Sequence, residues 1–131
     1  MARNLGLKEI SLDTHALYWF LEDFDKLSPT AKRTLEEHPE LVILIIVLFE
    51  LLYMEKKSGG VVSLAKILRL LKPHKYEIVP VDKKVFDKAR RIKEDLDLHD
   101  RIIVATALFT KTYLVTKDEQ IIKSGAVKTI W

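Results

Sequence analysis

The chain has 131 residues, room for one domain with a real core, since single domains commonly run to ~100–150 residues. A hydrophobic fraction of 48% against four Gly and four Pro excludes a disordered or fibrous chain, and the absence of cysteine excludes disulfides, thiolate metal sites and a cysteine nucleophile. The formal charge of +3, from 22 basic and 19 acidic residues, is too mild to demand a nucleic-acid partner, but it permits one because a positive field attracts phosphate.

Met1-Ala-Arg-Asn4 leads into no long apolar run and reads as carrying no signal peptide. The most apolar stretch, Leu41 to Met54, is too short to span a bilayer and contains Glu50. With no linker, repeat or low-complexity segment, the expectation is one domain over residues 1–131, in a soluble cytoplasmic protein with no membrane attachment.

In chain order, Glu9-Ile-Ser-Leu-Asp13 alternates apolar residues and stops at an acid, as a strand would. Thr14 can cap a helix running to Glu22, and Ser28-Pro29 opens a second with proline at its first position. Val42 to Ile46 is wholly apolar and mostly β-branched, which predicts a strand covered on both faces. A helix is expected to follow from Leu48 to Lys57, stopped by Gly59-Gly60. Leu64, Ile67, Leu68 and Leu71 make one apolar helical face over Ser63 to Leu71. Tyr76 to Val79 is a third strand, ended by Pro80. Helices over Lys83–Leu96 and Asp100–Phe109 come next, then a strand at Thr112–Thr116, a short helix near Asp118–Lys123, and a last strand at Val127–Trp131. Strands alternating with helices predict a parallel sheet of about five strands flanked by helices, an α/β fold. Such sheets bind ligands beyond the carboxyl ends of their strands.

The polar residues expected at those ends are acids. Asp13 ends the first strand and Asp118 closely follows the fourth, in Val115-Thr-Lys-Asp118. Either acid is equally at home as a helix cap, and the residues leave both readings open. Glu50 is harder to explain structurally: its helical neighbours Ile46, Val47, Tyr53 and Met54 are apolar, and a bare carboxylate among them costs several kcal/mol unless a cation or hydrogen bonds compensate. The alternative is a half-exposed Glu on a helix edge. Asp100 opens an Ala-rich helix, where an acid also suits the dipole. Asp95 and Asp97 sit in a charged run and read as solvent-facing. Acids gathered at one point repel, and a hard divalent cation, Mg²⁺ or Mn²⁺, relieves that repulsion and brings phosphodiester-hydrolysis chemistry.

The remaining candidates carry less. His15, His38, His74 and His99 form no zinc-like pair; His99, beside Asp100, is placed to touch the acids, but a helix cap is the reading preferred for it. Gly59-Gly60 lacks the context of a phosphate loop, and Ser11, Ser28 and Ser124 have no triad partners. Tyr18, Trp19 and Phe20 read as core or dimer contacts ahead of base-stacking platforms. Basic residues are spread along the helices, and no single RNA-binding stripe stands out.

Four segments carry these acids: Leu12-Asp-Thr-His-Ala-Leu17, Phe49-Glu-Leu-Leu-Tyr53, Leu98-His-Asp-Arg-Ile-Ile-Val-Ala-Thr-Ala-Leu108 and Leu114-Val-Thr-Lys-Asp-Glu-Gln120. In order and spacing, over nearly the whole chain, they resemble the PIN-domain ribonucleases, especially the VapC-like toxins of prokaryotic toxin–antitoxin pairs. The resemblance implies a Rossmann-like parallel sheet, one or two Mg²⁺ or Mn²⁺ ions, and an RNA substrate cut by hydrolysis. It places catalytic and metal-binding acids at Asp13, Glu50, Asp100 and Asp118, with Thr116 in support. It also implies a homodimer and a small cognate antitoxin whose segment occupies the active-site groove. One departure stands at Ile45, where the family often has Ser or Thr, which bears on the polarity of the groove floor and substrate fit. Two rivals remain. One is a catalytically silent PIN-fold module that grips RNA or protein, against which the intact acids argue. The other is a receiver-type signalling domain, which would want an acid pair after the first strand, where Asp13 is followed by Thr14.

Overall fold

Five strands, β1 (Ile10–Leu12), β2 (Glu40–Leu44), β3 (Lys75–Val79), β4 (Tyr113–Val115) and β5 (Thr129–Ile130), hydrogen-bond in the order β3-β2-β1-β4-β5, and every pairing is parallel. The expected α/β sheet is what forms. The computed structural model describes residues 9–131, so the reading of Met1 to Asn4 lies outside the described residues. Seven helices flank the sheet among the described residues: α1 (Thr14–Glu22), α2 (Pro29–Glu37), α3 (Ile45–Lys57), α4 (Leu64–Leu71), α5 (Lys83–Arg91), α6 (Leu98–Thr110) and α7 (Glu119–Ser124). None is long and apolar enough to cross a membrane.

The central strands are short and, where buried, apolar except at Ser11, which is hydrogen-bonded to the Thr112 hydroxyl. Ile10 and Leu12 of β1, Ile43 and Leu44 of β2, and Leu114 and Val115 of β4 are all buried, as parallel strands covered on both faces require. Ile10 pairs with Leu41 on one side and Tyr113 on the other, so β1 is the centre of the sheet. From β1 the chain works outward through β2 to β3, then returns to the far side of β1 for β4 and β5. The strand order therefore reverses between β1 and β4, and a crevice opens there beyond the carboxyl ends.

Several boundaries differ from expectation, each for a local reason. β2 stops at Leu44 and α3 starts at Ile45, although Ile45 and Ile46 are β-branched. The ladder ends there because Leu44 pairs with Val79, the last residue of β3, and Pro80 has no N–H to continue it. α5 ends at Arg91, not Leu96. The Arg101 guanidinium donates to the carbonyls of Ile92, Glu94 and Leu96, holding that segment as a loop in place of helical bonding. The cap of α1 is Asp13, not Thr14, and α6 opens at Leu98 capped by Asp97, which leaves Asp100 within the first turn as its third residue. Ser28 with Pro29, Ser63, and the left-handed Gly59 and Gly60 punctuate the helices as their types predict.

Candidate active site

The carboxyl edge of the sheet is built in two halves. The strand half begins with Asp13, whose N–H donates to the Val115 carbonyl and so fixes the residue to the end of β4 as well as β1. One Asp13 carboxylate oxygen accepts the Ala16 N–H at 2.9 Å and caps α1; the other accepts the Thr116 hydroxyl. Thr116 is fully buried, and the same hydroxyl oxygen accepts the Asp118 N–H at 3.0 Å. Asp118 caps α7 by accepting the Ile121 N–H. Capping is thus real for Asp13 and Asp118, and it fixes each carboxylate at the mouth of the crevice between β1 and β4.

The helix half comes from α3 and α6. Glu50 accepts the Thr14 hydroxyl at 2.5 Å through one carboxylate oxygen, and His99 Nδ1 stands 3.3 Å from the other. His99 therefore belongs to the site, and the expectation of a cap is wrong: Asp97 fills that role by accepting the Asp100 N–H. The surroundings of Glu50 also differ from the all-apolar setting inferred above. Val47 and Leu51 are buried, but Phe49 and Tyr53 are 62% and 61% exposed, so Glu50 lies at the seam between core and surface. Its side chain keeps 25% exposure. Asp95 and Asp97 are exposed, as expected. Ile45 does not line the cleft; Ile46 does.

All four acids line one cleft of about 470 Å³, together with Thr14, His15 and the apolar wall of Ile46, Phe49, Tyr53 and Met54. They feel one another. Burial first, then the charges of Asp118, Asp97, Glu50 and Asp13, push the Asp100 carboxyl up to about 6. Burial also raises Asp13, against the Thr116 hydroxyl, the Ala16 N–H and His15, which favour its charge. Two acids displaced in the same direction within one cleft mark a place that disfavours negative charge and would gain from a cation.

The donor set is all hard oxygen, with no thiolate in the chain, and suits Mg²⁺ or Mn²⁺ over softer metals. Among the described residues, no three His, Asp or Glu side chains close into a ready-made cage. Mg²⁺ does not require one: it keeps several waters and takes one or two carboxylates directly. An open ring of acids around a water-accessible cleft fits that demand.

One feature of this edge was missed in the residue patterns, and one was ranked second. The Thr14–Glu50 hydrogen bond joins α1 to α3, and only the β1–α1 and β2–α3 junctions sharing one sheet edge could have signalled it. His99 was visible beside Asp100, but a start of α6 at Leu98, two residues earlier than expected, is what aims it at Glu50.

Residues 10–126 match the PIN domain family. No protein with a curated description matches the chain by sequence. Among solved structures, the chain is similar to VapBC2 from Rickettsia felis bound to a DNA fragment from their promoter, at 18% identity and TM-score 0.71, covering 92% of this chain and 96% of that one. It is similar to DNA-bound VapBC from Salmonella typhimurium at 14% identity and TM-score 0.73, covering 94% and 97%. A toxin–antitoxin complex from Klebsiella pneumoniae aligns at 23% identity and TM-score 0.65, covering 91% and 95%. At these identities the likeness concerns the fold, and the family match extends over most of the chain. The chain belongs to the PIN domain family.

Proposed function

We propose that the protein is a Mg²⁺- or Mn²⁺-dependent endoribonuclease that hydrolyses RNA phosphodiester bonds, and that it is the toxin of a toxin–antitoxin pair. The observation that carries the reading is the convergence of Asp13, Glu50, Asp100 and Asp118 on one cleft at the switch point of the sheet. Membership of a family whose members are generally nucleases supports it, as do solved relatives whose names place them in toxin–antitoxin complexes.

In this reading the four acids hold the cation, which when bound supplies Lewis-acid stabilisation of charge on the phosphoryl oxygens. Thr116 locks the Asp13 carboxylate and the Asp118 backbone in one orientation, and Thr14 and His99 hold Glu50. The cleft's apolar wall, with Phe49 and Tyr53 largely exposed, offers faces for nucleobases and, in the inhibited state, for an antitoxin segment. α5 carries Lys83, Lys84, Lys88, Arg90 and Arg91 against the one acid Asp87, and its charge attracts a polyanion to the same molecule. Homodimerisation in the cytoplasm completes the proposal.

The test is cleavage of RNA by the purified protein with Mn²⁺. Cleavage that stops on chelation and in Asp13→Asn or Glu50→Gln, both still folded by circular dichroism, supports the reading; undiminished cleavage by both variants sinks it. The silent binding module shares the open arrangement of acids and predicts RNA retention with no cleavage under any metal. For the toxin assignment, induced expression should arrest growth in the wild type and not in Asp13→Asn.

A further inference from the structure

Beside the acid cleft lies a second hollow of about 320 Å³, lined by Asp13, His15, Trp19, Lys117 and Asp118. The two hollows share Asp13, His15 and Asp118, so two of the four acids lie on the ridge between them, while Glu50 and Asp100 line the first hollow only. The second hollow is walled by rings. His15 and Trp19, one turn apart on α1, have centroids 5.5 Å apart, and Trp131 from the end of the chain backs Trp19 at 5.9 Å. The Lys117 ammonium stands over the Trp19 ring, 5.8 Å from its centroid. Although Lys117 precedes Asp118 directly, its ammonium is in no ion pair among the described residues. An exposed cation held by an aromatic face instead of by a neighbouring carboxylate is left with its charge available to an external anion.

Resting on the ribonuclease reading above, we propose that this hollow is a nucleotide subsite for single-stranded RNA on one flank of the scissile phosphate. Lys117 takes a backbone phosphate and the His15–Trp19 shelf takes the attached base. The volume lies at the low end of the ~300–1,000 Å³ typical of small-ligand pockets, which suits a single nucleotide. A polyanion crossing four carboxylates needs a positive charge beside them, and Lys117 is placed there. Aromatic rings stack on bases that are already unpaired, so the subsite selects a single strand over a duplex. With Phe49 and Tyr53 lining only the first hollow, the strand runs from the α3 wall, over the acids, to the Trp19 shelf.

Trp19 and Trp131 are the two tryptophans of the chain, so intrinsic fluorescence reports on this shelf. The experiment titrates a short single-stranded RNA oligonucleotide into the full chain with Mg²⁺, in a Glu50→Gln background that lines the first hollow only. Expected is a saturable quench that persists in Trp131→Phe and is absent with the same sequence as a duplex. Lys117→Ala should weaken binding about tenfold and lower the salt dependence by roughly one phosphate contact, with Lys117→Arg restoring both. No quench by RNA, or a quench indifferent to Lys117→Ala, overturns the subsite even where the wild type cleaves RNA. A quench by polyglutamate and not by RNA overturns it in favour of an acidic peptide. Loss of the ribonuclease reading looks different: the wild type fails to cleave, while a Lys117-dependent quench by RNA still supports the subsite.

Discussion

The two halves of the acid site are held in different ways. In the strand half, Asp13, Thr116 and Asp118 sit at the ends of the central strands, and a fully buried hydroxyl bonds the carboxylate of one acid and the backbone of the other. In the helix half, Glu50 and Asp100 ride on α3 and α6, and the partner of Glu50 on that side, His99, is 61% exposed. The sheet fixes the first half through its own ladder, since Asp13 is itself bonded to Val115. The second half depends on how α3 and α6 pack, with the Thr14 hydroxyl tying Glu50 back to α1.

Replacing an acid in either half should have the largest effect. Asp13→Asn and Glu50→Gln should each lower Mn²⁺-dependent RNA cleavage by about a thousandfold or more, the scale of several kcal/mol of charge stabilisation, in single-turnover assays. The residues one step outward, Thr116 and His99, separate the two halves. Thr116→Val should cost roughly 10–100-fold and raise the Mn²⁺ concentration needed for half-maximal rate, because it frees the buried Asp13 carboxylate from its orienting partner. His99→Ala removes a partly exposed contact, worth ~0–1 kcal/mol, and should cost no more than about fivefold. Equal losses in the two variants would mean that the halves are not held differently.

Much of the strand half was legible in the residues. Alternation ending at Asp13, and the Thr-x-Asp turn after β4, follow from strand periodicity and the preference of Asp for helix starts. The helix half was legible in its acids but not in its setting. A run such as Ile45-Ile-Val-Leu-Phe-Glu50 looks buried on every side, because apolar side chains do not announce which of them line an open cleft. The end of β2 was set by the reach of β3 and Pro80, and the end of α5 by Arg101, both tertiary causes outside any local window. The Lys117–Trp19 contact likewise joins the β4–α7 turn to α1 and exists only once the sheet has formed.

The smallest effect is thermodynamic. The Asp100 carboxyl, raised to about 6, is costlier to ionise in the folded protein than in the unfolded chain. Its destabilisation is full above that value and vanishes below the ordinary carboxylate range near 3.8. In metal-free buffer, Asp100→Asn should therefore raise Tm at neutral pH by on the order of 1–2 °C, discounted for partial exposure, and the gain should fade as pH falls below about 6. A gain independent of pH would point to packing instead of charge.

Whether these acids form a cation site is tested without any RNA by calorimetric titration of Mn²⁺ into the metal-free protein. The wild type should bind Mn²⁺ saturably and Asp13→Asn should lose that binding, with both proteins folded. Unchanged Mn²⁺ affinity in Asp13→Asn, or no binding by the wild type, would contradict such a site.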